Sequence, residues 1–524
     1  MITDNASFAA KLPDAPHATG WLTRIERAGN ALPDPVMLFV GMIVLLMIGS
    51  AIAAALGWSA VNPVTGELLV AKNLFGEELI RKIMVEMPRT LAAFLPLGVM
   101  MTLVIAAGVA DHSGLLAALV RASLQRVPLR LLTSAVFIVG MLTTHAIDAG
   151  YVVYVPLAGV LYAAIGRHPV LGLVTAYCGC ATGLSGNLLP GQYDVMILSI
   201  TQVGAQMIEP DWTMNPMGNW YFSIGIALAF TLIASIVIDR VVAPRLGAWR
   251  RDDAAAARDS ADAAAIVARE RRGLRAAGVA LLAVALLAVA MAVVPGWSPL
   301  YDRAATGIDR IKPLFGGIVA LMFLIFVACG WAYGAATGTI AGHRDVIAMM
   351  RRGLEPVLGY FVLILFASQF VAMFGWSNLG PITAIAGAEQ LRATGAPIAL
   401  LLPMLATLSA WLDFLIASGS AKWTVMSPVA TPMFMLLGVS PEMTTAAYRV
   451  GDTVTNLISP LNAYLVMTLM FAQRWVPQMR IGSMIALTLP IAIALYFAGI
   501  ALTILWVAFG LPVGPGASVA YHLP

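Results

Sequence analysis

Charge is scarce in this sequence. Only 11% of its residues are Asp, Glu, Lys or Arg, while 60% are hydrophobic; an average soluble domain devotes about a quarter and a half of its residues to those classes. A water-soluble fold is thereby excluded. Cysteine is scarcer still: Cys178, Cys180 and Cys329 all lie in apolar segments, which rules out a disulfide framework, and the Cys178-x-Cys180 pair lacks the second pair and the histidines of a zinc site. Polybasic runs and nucleic-acid modules are missing, so no nucleic-acid partner is expected. There is no H-E-x-x-H, no Walker A loop and no G-x-S-x-G elbow, and with them go the common hydrolytic and ATP-driven mechanisms. The opening residues, with Asp4, Lys11 and Asp14, do not have the order of a cleaved signal, so the first membrane helix is expected to carry targeting.

What the chain has instead is apolar runs. A bilayer core about 30 Å thick takes roughly 20 apolar residues per crossing, and stretches of that kind recur along nearly all of the 524 residues. The pattern predicts an all-α polytopic membrane protein. Residues 1–34 read as a polar cytoplasmic lead ending in Leu32-Pro-Asp-Pro35, and a first membrane half occupies 35–240. A polar linker, 241–273, is dense in arginine (Arg250, Arg251, Arg258, Arg269, Arg271, Arg272) and is placed in the cytoplasm by the positive-inside rule. The second half covers 274–508 and a short tail 509–524.

Each half has a region too interrupted for a plain span, near 111–194 and near 378–460. Gly183, Gly186, Pro190 and Gly191 break the first, among the polar Ser185, Asn187 and Asp194; Ser418, Gly419, Ser420, Pro428, Pro441, Asn456 and Pro460 break the second. Lipid does not tolerate such backbone, which therefore lines a cavity or is buried in protein. Laying 149–189 over 421–461 without a gap aligns Ala149, Val153, Pro156, Gly166, Pro169 and Gly179 with Ala421, Val425, Pro428, Gly438, Pro441 and Gly451. Either this is coincidence among small residues of apolar sequence, or it is an internal repeat, read as inverted, whose paired broken segments mark a transporter's binding site.

Ionisable groups at mid-membrane cost at least about 2.5 kcal/mol and usually face a cavity or a partner. The candidates are His145, Asp148, Asp194, Asp413, Lys422, Arg449 and Asp452. On a helix Arg449 and Asp452 share a face. They either serve a carboxylate ligand and a proton or neutralise each other as a structural pair. Asp194 either couples ions or caps a helix, Lys422 could snorkel to an interface, and His145 is either a packing residue or a proton relay. Trp423 is an interfacial residue or part of a re-entrant tip.

The runs Ser418-Gly-Ser-Ala-Lys-Trp-Thr-Val-Met-Ser-Pro428 and Ala447-Tyr-Arg-Val-Gly-Asp-Thr-Val-Thr-Asn-Leu-Ile-Ser-Pro460 resemble the signature of the p-aminobenzoyl-glutamate transporter (AbgT) family. So do Leu32-Pro-Asp-Pro35, Gly150-Tyr-Val-Val153, Gly166-Arg-His-Pro169 and Gly510-Leu-Pro-Val-Gly-Pro-Gly516. The resemblance implies about nine transmembrane helices with two re-entrant hairpins, a homodimer in the bacterial inner membrane, and no cofactor beyond a proton or sodium gradient. Its implied task is uptake of p-aminobenzoyl-glutamate or export of sulfonamide-type antimetabolites. It places the substrate near Ser420, Trp423, Arg449 and Pro460 and ion coupling at Asp194 and Asp452; Asn187 and Asp413, in the two broken regions, are further substrate-binding candidates. The arginine would hold a carboxylate and the tryptophan would stack on a ring, within an aqueous pocket shared by the two broken stretches. Relatives tend to carry Asn where this chain has Asp413, Ser-Asn where it has Thr143-Thr144, and a proline where Val195 follows Asp194; a carboxylate in place of an amide changes the charge near the site. A carrier of another aromatic or dicarboxylic anion, an intramembrane hydrolase using Ser418 or Ser420, and a channel are the competing expectations.

Overall fold

Seven helices among the described residues are long and apolar enough to cross a bilayer. The computed structural model describes residues 35–522 apart from 125–126, 147–149, 248, 250–259, 295–296, 356–357, 417 and 460. The lead 1–34, Asp148 and Pro460 therefore lie outside the described residues.

The first half runs α1 (Pro35–Ala55), a small hairpin of β1 (Ser59–Val61) and β2 (Leu68–Val70), the amphipathic α2 (Glu77–Ala92), then α3 (Leu95–His112), α4 (Leu115–Leu124), α5 (Leu132–Thr143), α6 (Val155–Ala164), α7 (Pro169–Thr182), α8 (Gln192–Ala205) and α9 (Trp220–Val237). The second half runs α10 (Ser260–Val293), α11 (Ile318–Thr337), α12 (His343–Leu354), α13 (Leu358–Trp376), α14 (Leu379–Ala393), α15 (Ile398–Leu412), α16 (Gly419–Leu436), α17 (Pro441–Asn456), α18 (Ala463–Gln473) and α19 (Ile481–Ala508). α10 begins at Ser260, inside the stretch read as a linker, and carries Glu270 into an ion pair with Arg121.

The polar punctuation shows in the short helices. α5 and α6 form a helix–turn–helix with Thr144–Ala146 at its tip, and α15 and α16 form a second with residues 413–416 at its tip. Each is followed by a helix broken in the middle: α7 ends at Thr182 and α8 starts at Gln192, and α17 ends at Asn456 and α18 starts at Ala463. Counting each broken pair as one crossing adds two to the seven continuous helices and gives nine among the described residues, as expected.

Helix neighbours repeat between the halves. α7 packs on α5 and α6, and α17 on α15 and α16; α8 lies on α16 and α17, while α18 lies on α7 and α6. The small residues aligned in the sequence explain how the helices come so close. A Cβ on Gly179 would collide with the Phe137 carbonyl of α5, and one on Gly451 with the Ala406 carbonyl of α15. Backbone carbonyls cannot swing aside as a side chain can, so both positions need glycine. The largest apolar core gathers α5–α7, α9, α15, α17 and α19, and a second joins α1, α2 and α13.

Candidate functional site

The two broken regions meet at an ion pair. α7 ends at Thr182, and the chain runs unwound through Gly183–Gly191 before α8 starts. Asp194 sits in the first turn of α8, where its Oδ2 accepts the Gly191 N–H at 2.6 Å. It thus closes the helix start as a capping side chain does. Its other oxygen lies 2.6 Å from Arg449 Nη2 of α17. The guanidinium also donates through Nε and Nη2 to the Leu184 carbonyl of the unwound stretch, at 2.9 and 2.6 Å. The Ser185 hydroxyl in turn donates to the Arg449 carbonyl. Arg449 Nη1 is buried without a partner.

A second charged group lies beside the first. Lys422 Nζ, on α16, is 3.0 Å from Asp413 Oδ1 and 2.7 Å from Asp452 Oδ1, and it donates to the Ser409 carbonyl at 3.0 Å. α16 starts here because Ser418 caps it, its hydroxyl accepting the Ala421 N–H. α17 starts likewise with Ser440 as cap and Pro441 in its first turn. The Tyr448 hydroxyl donates to the Gly419 carbonyl and lies 3.3 Å from Asp452, and Tyr193 reaches the same carboxylate at 3.4 Å. Gly419 passes so near that a Cβ there would press on both Tyr193 Oη and Asp452 Oδ2.

These positions correct several expectations. Arg449 and Asp452 share a helix face yet do not pair: each binds a charge from another helix, Arg449 with Asp194 and Asp452 with Lys422. Lys422 does not snorkel; it is fully buried. Trp423 is also fully buried, stacked on Tyr448 with ring centroids 4.2 Å apart, and its indole N–H donates to Thr201 at 2.8 Å. Its face is covered in this conformation and is not open to a ligand ring. Arg449 and Asp452 are each 1% exposed, so these two side chains are closed off from solvent in this conformation.

Asn187 spends its amide on structure, donating to the Met141 carbonyl at 2.7 Å and Thr144 Oγ1 at 3.0 Å, so it ties the unwound stretch to the first hairpin tip. His145, at that tip, contacts the Leu142 and Leu189 carbonyls. Ser420 is buried in the first turn of α16, 3.4 Å from Ser418. A cavity of about 760 Å³ borders the first hairpin, walled by apolar groups of α4, α10 and α11 such as Leu115, Leu281 and Phe326 and lined also by His145 and Pro190. Pro190 also borders a crevice of about 10 Å³ that reaches Asp194. Among the described residues no group of three or more His, Cys, Asp or Glu side chains is placed to hold a metal.

Tyr193, Tyr448, Thr201 and Ser409 complete the site and were not singled out from sequence. For Tyr448 a signal existed: it stands four residues before Asp452 on the same helix face. For Tyr193 and Thr201 there was none, because only the packing of α8 on α16 and α17 brings them there.

The profile of the AbgT transporter family matches residues 20–521. The chain is 33% identical over 497 residues, 95% of its own length and 96% of the relative's, to the p-aminobenzoyl-glutamate transport protein of Escherichia coli K12. Two solved structures superpose along nearly the whole fold. The YdaH transporter of Alcanivorax borkumensis, described as having an unusual topology, gives a TM-score of 0.83 at 34% identity, over 92% of this chain and 100% of that one. MtrF of Neisseria gonorrhoeae, described as illuminating a class of antimetabolite efflux pumps, gives 0.87 at 35% identity, over 95% and 100%. The chain is thus a multi-pass membrane protein and belongs to the AbgT family of transporters.

Proposed function

We propose that this protein is an ion-gradient-coupled secondary transporter, in the inner membrane, of p-aminobenzoyl-glutamate and chemically related aromatic carboxylates, or an exporter of sulfonamide-type antimetabolites. The observation that carries the proposal is the Arg449–Asp194 pair, which joins α17 of the second half to the start of α8 beside the unwound stretch of the first, and leaves one guanidinium nitrogen unpartnered. A substrate carboxylate takes the place of Asp194 on Arg449. Two carboxylates on one buried guanidinium leave an uncompensated charge, so Asp194 gains a proton or another cation as it is displaced. Substrate binding and ion binding are coupled by that exchange. Asp452, held by Lys422, forms a second coupling point within reach of the same helices. The relatives' names support the substrate class: one transports p-aminobenzoyl-glutamate, and the other is associated with antimetabolite efflux.

The test is flux of labelled p-aminobenzoyl-glutamate into proteoliposomes under imposed pH and sodium gradients. A charge-assisted hydrogen bond contributes about 1.5–3 kcal/mol, so Arg449→Ala should lose roughly 10- to 150-fold in apparent affinity, and Asp194→Asn should lose its response to the gradient. Unchanged affinity in Arg449→Ala would remove the residue from substrate binding. In cells, a sulfonamide susceptibility assay separates export from uptake.

A second reading has its own support. Arg449 and Lys422 place two buried cations on adjacent helices, an arrangement that also suits a plain dicarboxylate. A thermal-shift screen of p-aminobenzoyl-glutamate, sulfonamides and aliphatic dicarboxylates distinguishes the two. The homodimer implied by the family belongs to the same proposal, and the mass of the detergent-solubilised protein tests it.

A further inference from the structure

The cluster of Asp413, Lys422 and Asp452 contains two carboxylates and one ammonium group, and the side chains of all three are at most 1% exposed. If every member were ionised, the cluster would hold a net negative charge with no water to solvate it. Among the described residues, the groups bonded to it supply no balancing cation: from α17 it meets Tyr448 and from α8 Tyr193, both phenols. Arg449, also on α17, is engaged with Asp194. A buried, uncompensated carboxylate takes up a proton rather than remain charged.

Hydrogen bonding decides which carboxylate takes it. Both oxygens of Asp452 face donors, Oδ1 the Lys422 ammonium at 2.7 Å and Oδ2 the Tyr193 hydroxyl at 3.4 Å. Asp413 meets Lys422 through Oδ1 only, and its Oδ2 is buried with no partner. One turn earlier on the same helix, the Ser409 hydroxyl is also buried and unpartnered.

We infer that Asp413 holds a proton on Oδ2 in this conformation and releases it during the transport cycle, making it a proton-carrying site additional to Asp194 and Asp452. Its position supplies the means of release. Asp413 ends α15 at the tip of the second hairpin, whereas Asp452 lies on the broken helix α17. Any movement of the hairpin against α17 separates Lys422 from one of its two carboxylates. The same movement opens the cluster to water, which solvates Asp452 once Lys422 has left it. Lys422 then balances a full negative charge on Asp413, and the proton passes from Oδ2 to that water, the electron pair of the broken O–H bond staying on the carboxylate. The release step rests on the gradient-coupled reading of the protein; the resting proton does not.

Two measurements on the full-length protein test this. Infrared spectra at neutral pH should show a buried carboxylic-acid band that disappears in Asp413→Asn and shifts in Asp413→Glu. Absence of the band from the wild type, or a band unmoved in Asp413→Glu, would overturn the assignment. In proteoliposomes, the protons moved per p-aminobenzoyl-glutamate, a ratio independent of rate, should fall by one in Asp413→Asn and recover in Asp413→Glu. An unchanged ratio refutes release. If the band is present but wild-type flux ignores the pH gradient, the gradient-coupled reading fails and takes the release step with it, while the band continues to report on the resting proton.

Discussion

Lys422 is the residue whose loss the structure would feel most directly. Removing one partner of a buried ion pair costs about 3–5 kcal/mol because the other charge is left without compensation. Lys422→Met leaves Asp452 without its cation beside the protonated Asp413, so it should destabilise the protein by about that amount. Thermal unfolding in detergent is the measurement, and Lys422→Met combined with Asp452→Asn should recover part of the loss. His168 makes a separate prediction outside the spanning segments. It caps α7 by accepting the Val170 N–H on Nδ1, and burial pushes its imidazole down from 6.5 to about 4. A base whose folded value lies below its unfolded one stabilises the fold only while neutral. That contribution should be complete above about pH 6.5 and fade as pH falls toward 4. The slope of stability against pH in this window should flatten in His168→Asn, which keeps a capping oxygen.

At the scale of elements, close helix approach and a folded tail matter most. Gly179→Ala and Gly451→Ala would each drive a methyl into a backbone carbonyl of the hairpin helix opposite. Overpacking of this kind costs about 1–3 kcal/mol, and a lower unfolding temperature in each variant would register it. The C-terminal tail also does structural work. Val519 accepts the Ser440 N–H at 2.9 Å, and the Ser440 hydroxyl, which caps α17, donates to the Ser518 carbonyl at 2.6 Å. Nearby, Asn219 holds the Glu442 carbonyl at 3.0 Å. Deleting residues 511–524 should loosen the start of the helix that carries Arg449 and Asp452, and weaker protection of α17 amides in hydrogen exchange would show it. The tail's polar and small residues gave no hint of this docking, since its partners lie about seventy or more residues away in the chain.

For the whole molecule, the repeat that was faint in sequence becomes plain in the neighbour relations of α5–α8 and α15–α18. An aligned glycine or proline leaves little trace in an identity count, yet Gly179 and Gly451 each admit a carbonyl of the opposite helix. Membrane class, the two interrupted regions and the set of charged residues were all legible from composition and spacing. The reason is local: lipid excludes unpaired backbone and unpaired charge, so glycine, proline and ionisable residues stand out wherever they occur in apolar sequence. Partnership was not legible. Arg449 and Asp452 sit three residues apart, yet Arg449 pairs with Asp194 and Asp452 with Lys422, and Trp423 closes onto Tyr448 instead of facing a cavity. Sequence spacing sets which side chains share a helix face. Which charge each one meets depends on how α8, α16 and α17 are brought together, and only the tertiary packing of the two halves decides that.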